Sequence, residues 1–163
     1  MSATIRPANA SDAAAIAAIH NQGIEERVAT FETREKTQEA IQGLLDEGAL
    51  ILVAELDGRV AGFAKVSPYE ERSHYYAGVG EATVYVSREA RRAGVGRALL
   101  DAIAAEAASA GRHKLVAKVF ASNEPSLALF EAAGYARVGT HERHAQLDGE
   151  WRDVVVVERH LRD

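Results

Sequence analysis

The stretch Val84-Tyr85-Val86-Ser87-Arg88-Glu89-Ala90-Arg91-Arg92-Ala93-Gly94-Val95-Gly96-Arg97-Ala98-Leu99-Leu100 runs from a strand pattern through a glycine turn into a helix pattern. Glycine lets backbone N–H groups approach a ligand with no side chain in the way. The first turn of a helix has unpaired N–H donors and a partial positive charge, which suits a pyrophosphate. Arg91, Arg92 and Arg97 add positive charge at the same place. A Walker A loop needs Gly-Lys-Ser/Thr, and this loop reads Gly96-Arg97-Ala98. A Rossmann fingerprint needs a third glycine where Leu99 stands, and it lies early in a βαβ unit rather than after a meander. A Gly-x-Gly on its own is more often a helix start that merely needs small residues.

Other chemistries are poorly provided for. Cysteine is absent, which removes disulfides, thiolate catalysis and Cys-ligated metal sites together. His20, His74, His113 and His160 are scattered, and no His-Glu-x-x-His occurs. His141 and His144 are three apart on a strand pattern, which puts them on opposite faces. No metal is expected.

The elements around the loop follow from periodicity and punctuation. Thr4–Arg6 is a short strand ended by Pro7. Ser11 and Asp12 are good caps for a helix over Ala13–Gly23, and a second helix covers roughly Thr37–Glu47, stopped by Gly48. Leu50–Ala54 reads as a buried strand, Asp57-Gly58 as a hairpin turn and Val60–Val66 as its partner. Ser67–Gly80 is a loop, followed by a strand over Glu81–Ser87. Then come a helix over Arg97–Ala110, a strand over Lys114–Phe120 and a helix over Ser122–Ala133. The strands Ala136–Gln146 and Glu150–His160 join at Asp148-Gly149, a second hairpin signal, and Trp151 beside it is expected to pack on the sheet or on a partner subunit. The order β-α-α-β-β-β-α-β-α-β-β is α/β, with a mixed, mostly antiparallel central sheet flanked by helices.

At 163 residues, one domain over 1–163 is the expectation. Hydrophobic residues make up 47% and charged residues 26%, ordinary for a globular chain. With 19 basic against 24 acidic residues the formal charge is −5, which argues against nucleic acid as a main partner. The N-terminus lacks the apolar run of a signal peptide, and no stretch approaches the ~20 apolar residues that span a bilayer. A cytoplasmic protein with no membrane partner is expected.

Arg91-x-x-Gly94-x-Gly96 after Val84-Tyr85-Val86-Ser87, with Glu81 before it and Asn123-x-x-Ser126-x-x-x-Phe130-Glu131-x-x-Gly134-Tyr135 after it, resembles the GNAT N-acetyltransferase superfamily. The resemblance covers about residues 4–161. It implies that Arg91, Arg92, Ala93, Gly94, Val95, Gly96 and Arg97 wrap the pyrophosphate of acetyl-CoA. It also implies that the backbone of Val84, Tyr85 and Val86 pairs with the pantetheine arm, and that Asn123, with Ser126 in the same segment, contacts the cosubstrate. Three further segments are similar to the phosphinothricin and arsinothricin acetyltransferase branch: Asn21-Gln22-Gly23-Ile24-Glu25 with Ala29-Thr30-Phe31-Glu32-Thr33, then Glu81–Ser87, then Gly149–Val154. Members of that branch acetylate the α-amine of glutamate-like antimetabolites or methionine derivatives, and several are homodimers.

Direct attack by the amine needs no protein nucleophile. An α-amine with a pKa of about 8 is only about a tenth free base near pH 7, so a proton must be removed. By the resemblance Glu81 is the general base, acting directly or through water; taken alone it is a glutamate at a strand end. Where many members of the superfamily carry a tyrosine acid, this chain has Phe130, which the branch tolerates and which reads otherwise as core. The N–H of Val86 is a candidate oxyanion donor. Arg72, Ser73, His74 and Tyr75 are the expected substrate rim, with Arg72 as a bidentate carboxylate clamp and Phe31 as a wall. Protein N-acetylation and a non-catalytic acyl-CoA-binding module remain open as alternatives.

Overall fold

The computed structural model describes residues 2–161. In chain order the elements are β1 (Thr4–Pro7), α1 (Ala13–Glu26), α2 (Gln38–Asp46), β2 (Leu50–Leu56), β3 (Arg59–Pro68), β4 (Val79–Val86), α3 (Val95–Ser109), β5 (Lys114–Phe120), α4 (Glu124–Ala132), β6 (Ala136–Leu147) and β7 (Glu150–His160). Among the described residues seven strands form one sheet in the order β1-β2-β3-β4-β5-β7-β6. Every neighbouring pair is antiparallel except β4–β5. No described helix is long and apolar enough to cross a membrane.

Strand alternation divides the core into two layers. Ile51, Val53 and Phe63 pack with Ile16, Ile19 and Ile41 of α1 and α2. Leu52, Ala64 and Val66, one step away on the same strands, pack with Leu99 and Ile103 of α3. Successive side chains point to opposite faces, so α1 and α2 cover one face of β2–β3 and α3 covers the other. On β5, Leu115, Ala117 and Val119 join the α3 core. Phe120 turns to the opposite face, with Phe31, Leu147 and Val154.

Local signals account for most boundaries. Asp57-Gly58 and Asp148-Gly149 both adopt left-handed φ values, 55° and 76° and then 53° and 80°, which matches the twist of a two-residue hairpin. Thr37 caps α2 through its side chain. At α1 the expected caps give way to another arrangement. Asn9 and Asp12 form a capping box around a short turn, and the Asp12 carboxylate accepts from Arg6 at 2.8 and 2.9 Å. α3 opens at Val95, earlier than expected, because Gly94 at φ 79° sets its start. α4 opens at Glu124 rather than Ser122, because Asn123 is its cap.

One expectation is overturned. His141 and His144 do not lie on opposite faces: their rings stack at 4.3 Å. β6 is bulged between His141 and Ala145, with Arg143 at φ 45°, and the extra residues cancel the alternation. Trp151 is 56% exposed, so it does not pack into the sheet of this subunit.

Candidate active site

The site begins where the sheet opens. β4 and β5 pair over three positions, Val79–Lys114, Gly80–Leu115 and Glu81–Val116, and then part. β5 continues to Phe120 against β7, and β4 continues to Val86 against β3. The N–H of Ser87 donates to Ala61 at 2.8 Å, so the odd-numbered residues of β4 face β3 with their main chain. The N–H and C=O of Val84 and Val86 therefore point into the opening. They offer a strand edge to a ligand carrying amides.

At the end of β4 the chain turns into α3. Gly94 is the N-cap and supplies no side-chain hydrogen bond, so the first N–H groups of α3 are left to a ligand or solvent. A Cβ on Gly96 would lie 2.8 Å from Leu129 Cδ2, which is why glycine is needed where α3 meets α4. The three arginines divide. Arg91 is held by Glu26 through two bonds of 2.8 and 2.6 Å. Arg97 pairs with Asp101 at 3.1 Å. Arg92, at φ 65°, has no ion pair among the described residues and is the loop cation left for an anion.

The opening leads into a cavity of about 450 Å³. Glu81 stands in its wall, with Oε1 3.2 Å from Lys118 Nζ. Phe31 lies 4.6 Å from Phe120, ring to ring, and the pair forms an aromatic wall. Val84, Tyr85, Asn123, Ser126 and Phe130 also line it. Asn123 has structural duties there: its Oδ1 accepts from the Ser126 N–H at 3.3 Å, and its Nδ2 donates to the Val28 carbonyl at 3.1 Å. Phe130 packs edge-on against Tyr135 at 5.0 Å, so it serves core and cavity together.

A side cavity of about 250 Å³ adjoins the first and shares Thr30, Glu81, Thr83 and Tyr85 with it. Its far wall carries His20, Glu32, Lys36 and Lys65. His20 Nε2 is 3.1 Å from Glu32 Oε2, and Lys36 Nζ is 3.3 Å from Glu32 Oε1. Burial holds the His20 imidazolium below its ordinary pKa despite the pull of Glu32. The Tyr85 hydroxyl is pushed up to about 12, first by burial and then by the charge of Glu32.

The loop expected to form the substrate rim stands apart. His74–Tyr76 is a short turn capped by Ser73, and Tyr75 is 81% exposed. Arg72, Ser73 and Tyr75 line neither cavity.

The model of the Acetyltransferase (GNAT) family matches residues 14–135. The chain is 39% identical to the phosphinothricin N-acetyltransferase of Streptomyces viridochromogenes, over 92% of this chain and 83% of that one. It is 30% identical to the L-methionine sulfoximine/L-methionine sulfone acetyltransferase of Pseudomonas paraeruginosa, over 99% and 96%. A GNAT superfamily phosphinothricin acetyltransferase from Sinorhizobium meliloti, solved in complex with AcCoA, superposes with a TM-score of 0.92 at 28% identity, over 99% and 90%. The chain belongs to the GNAT acetyltransferase family. It falls in the phosphinothricin-type branch and is an N-acetyltransferase with acetyl-CoA as cosubstrate.

In this GNAT chain the opened strand edge, the bare helix start and Arg92 fit the amides and pyrophosphate of CoA. No group of three or more His, Asp or Glu able to hold a metal occurs among the described residues. The branch-like segment Asn21–Glu25 proves to be a set of braces around the site. Asn21 accepts from the Lys36 N–H at 2.8 Å and donates to the Lys36 carbonyl at 3.0 Å. Gln22 Oε1 accepts from the Arg88 N–H at 3.0 Å. A Cβ on Gly23 would lie 2.6 Å from Tyr85 Cε1. Glu25 pairs with Arg88 at 2.7 Å.

Sequence reasoning missed Lys118, His144, Lys65 and the His20–Glu32–Lys36 group. Two of these were signalled: Lys65 and Lys118 each interrupt an apolar strand run, Val60–Val66 and Leu115–Phe120. His144 reaches the main cavity through the β6 bulge, which no periodicity announces.

Proposed function

We propose that the protein transfers the acetyl group of acetyl-CoA to the α-amine of a small amino-acid-like acceptor of the phosphinothricin, arsinothricin or methionine-derivative type, with Glu81 as general base. One observation carries this reading: Glu81 stands in the wall of the main cavity at the point where β4 and β5 part, on the strand whose main chain at Val84 and Val86 faces the opening further along. Bound acetyl-CoA supplies an activated acetyl thioester. Glu81 takes the ammonium proton of the acceptor, directly or through a water. Lys118 holds the Glu81 carboxylate toward the cavity. The Val86 N–H is the donor for charge developing on the thioester oxygen. Phe31 and Phe120 close one side and limit water. Phe130 supplies no proton, so the departing thiolate takes one from solvent. A homodimer in the cytoplasm belongs to the same reading; the exposed stretch 136–144 of edge strand β6 supports a second copy as its partner.

The test follows thiol release from acetyl-CoA with phosphinothricin, arsinothricin, methionine sulfone, methionine sulfoximine, glutamate, a polyamine and a peptide with a free N-terminus. Turnover of the amino-acid analogues with no turnover of the peptide is expected. Turnover of the peptide alone moves the acceptor to protein N-termini. No turnover with acetyl-CoA still bound overturns the catalytic reading.

A further inference from the structure

Lys65 sits in an apolar run of β3, on the same side of the sheet as Phe63, with Ile51 and Thr83 as its neighbours on β2 and β4. That side is covered by α1 and α2, so the side chain projects into the side cavity. The other charged groups on this wall are matched. Glu32 bridges His20 and Lys36, and Glu81 meets Lys118. Among the described residues Lys65 makes no ion pair and no hydrogen bond. The side chain is half-buried, so its ammonium is partly desolvated and faces the cavity without a protein carboxylate bonded to it. Its proton affinity is lowered accordingly, by burial first and by the like charge of Lys36 second, while Glu32 and Glu81 pull the other way.

Thr83 lies directly across from Lys65, which makes Glu81 the diagonal neighbour of Lys65 on the same face. Diagonal cross-strand neighbours are ~7–8 Å apart. A substituent of an amino acid whose amine sits at Glu81 is therefore within reach of the cavity that Lys65 lines. Lys36, gripped at both backbone groups by Asn21, adds a second cation to the same wall.

We infer that Lys65 is a specificity residue that binds an acidic oxyanion group at the end of the acceptor's side chain. The preferred acceptor is then an amino acid with a second, side-chain acid rather than a neutral analogue of similar length. The inference rests on the α-amine reading above and adds the chemistry at the far end of the substrate.

Steady-state kinetics of the full chain with phosphinothricin and with methionine sulfone read it directly. One side chain ends in an acid and the other is neutral. In Lys65→Met, kcat/KM for phosphinothricin is expected to fall about 10–100-fold, mostly through KM, with methionine sulfone changed by less than about threefold. Lys65→Arg should recover part of the loss. Folding and acetyl-CoA binding are checked by thermal melting and calorimetry, and Lys65→Gln reads the same ratio if the methionine variant does not fold. Equal losses on both substrates, no loss on either, or a wild type that favours methionine sulfone overturn the role of Lys65 and leave the α-amine reading intact. A wild type that turns over no amino acid overturns both.

Discussion

Glu81 Oε1 and Lys118 Nζ lie 3.2 Å apart between β4 and β5, Glu81 at the last position where those strands pair and Lys118 two residues beyond its partner Val116. The base proposed here is thus fixed at the hinge of the opening. Glu81→Gln keeps the shape and removes the proton acceptor. It is expected to lower kcat by about 10²–10⁴-fold while acetyl-CoA binding, measured by calorimetry, stays unchanged. Loss of binding in parallel with kcat would make Glu81 a scaffold residue.

Arg91 and Arg92 are adjacent yet differently employed, one locked to Glu26 and the other without an ion pair among the described residues. Arg92→Ala is expected to weaken acetyl-CoA binding by about 5–10-fold, as for loss of one exposed phosphate contact. Arg91→Ala should leave that affinity nearly unchanged and loosen the loop from α1. Dissociation constants in low and high salt separate the two, since only the Arg92 effect should shrink as salt rises.

Gly23 and Tyr85 share one space. Gly23→Ala places a Cβ 2.6 Å from Tyr85 Cε1 and forces the ring, stacked on Phe63 at 5.5 Å, to move. A destabilisation of about 1–3 kcal/mol is expected. Tyr85→Ala in the same chain should relieve the clash, so the two substitutions will be far from additive in a denaturant-unfolding cycle.

Asn123 caps α4 and straps it to Val28. Asn123→Ala is expected to cost about 1–2 kcal/mol in thermal or denaturant unfolding. Asn123→Asp retains the cap and loses the donor to Val28, so it should recover part of that stability and leave the loop before Phe31 looser.

Asp12 is 4% exposed and bonded by Arg6, whose hydrogen bonds hold its carboxyl below the ordinary value against the opposing effect of burial. Glu26 is lowered in the same way, chiefly by Arg91. Both folded values lie below the unfolded ones. Their stabilisation is therefore complete above the unfolded carboxylate range of about pH 4 and is lost as pH falls through the folded values. Unfolding measured from pH 6 to pH 2 should show stability dropping across that window. Asp12→Asn should flatten the drop and cost about 1–2 kcal/mol at neutral pH, since Arg6 keeps its pairing with Glu55.

The fold and half of the site can be read in the chain, for physical reasons. Glycine loops and hairpin turns have local signatures, so Gly94, Gly96, Asp57-Gly58 and Asp148-Gly149 lie where backbone sterics put them. Phe31 reads from the chain equally as pocket wall or as core, and it lines the main cavity while packing on Phe120. The side cavity depends on α1, α2, β3 and β4 meeting across long sequence separations, so His20, Glu32, Lys36 and Lys65 leave no common pattern. The stacking of His141 on His144 has no local signal, because a bulge resets a period of two without any residue type marking it. Arg72, read as a clamp from its charge and loop, lies outside both cavities of this subunit.

The parting of β4 and β5 has an evolutionary corollary. A strand edge that offers its main-chain groups to the cosubstrate at Val84 and Val86 keeps them through any side-chain replacement short of proline. The proposed acceptor half, by contrast, consists of side chains such as Phe31, Lys65 and Lys118, each replaceable alone. Acceptor preference in this scaffold can therefore drift, or be redesigned, one residue at a time without forfeiting the acetyl donor.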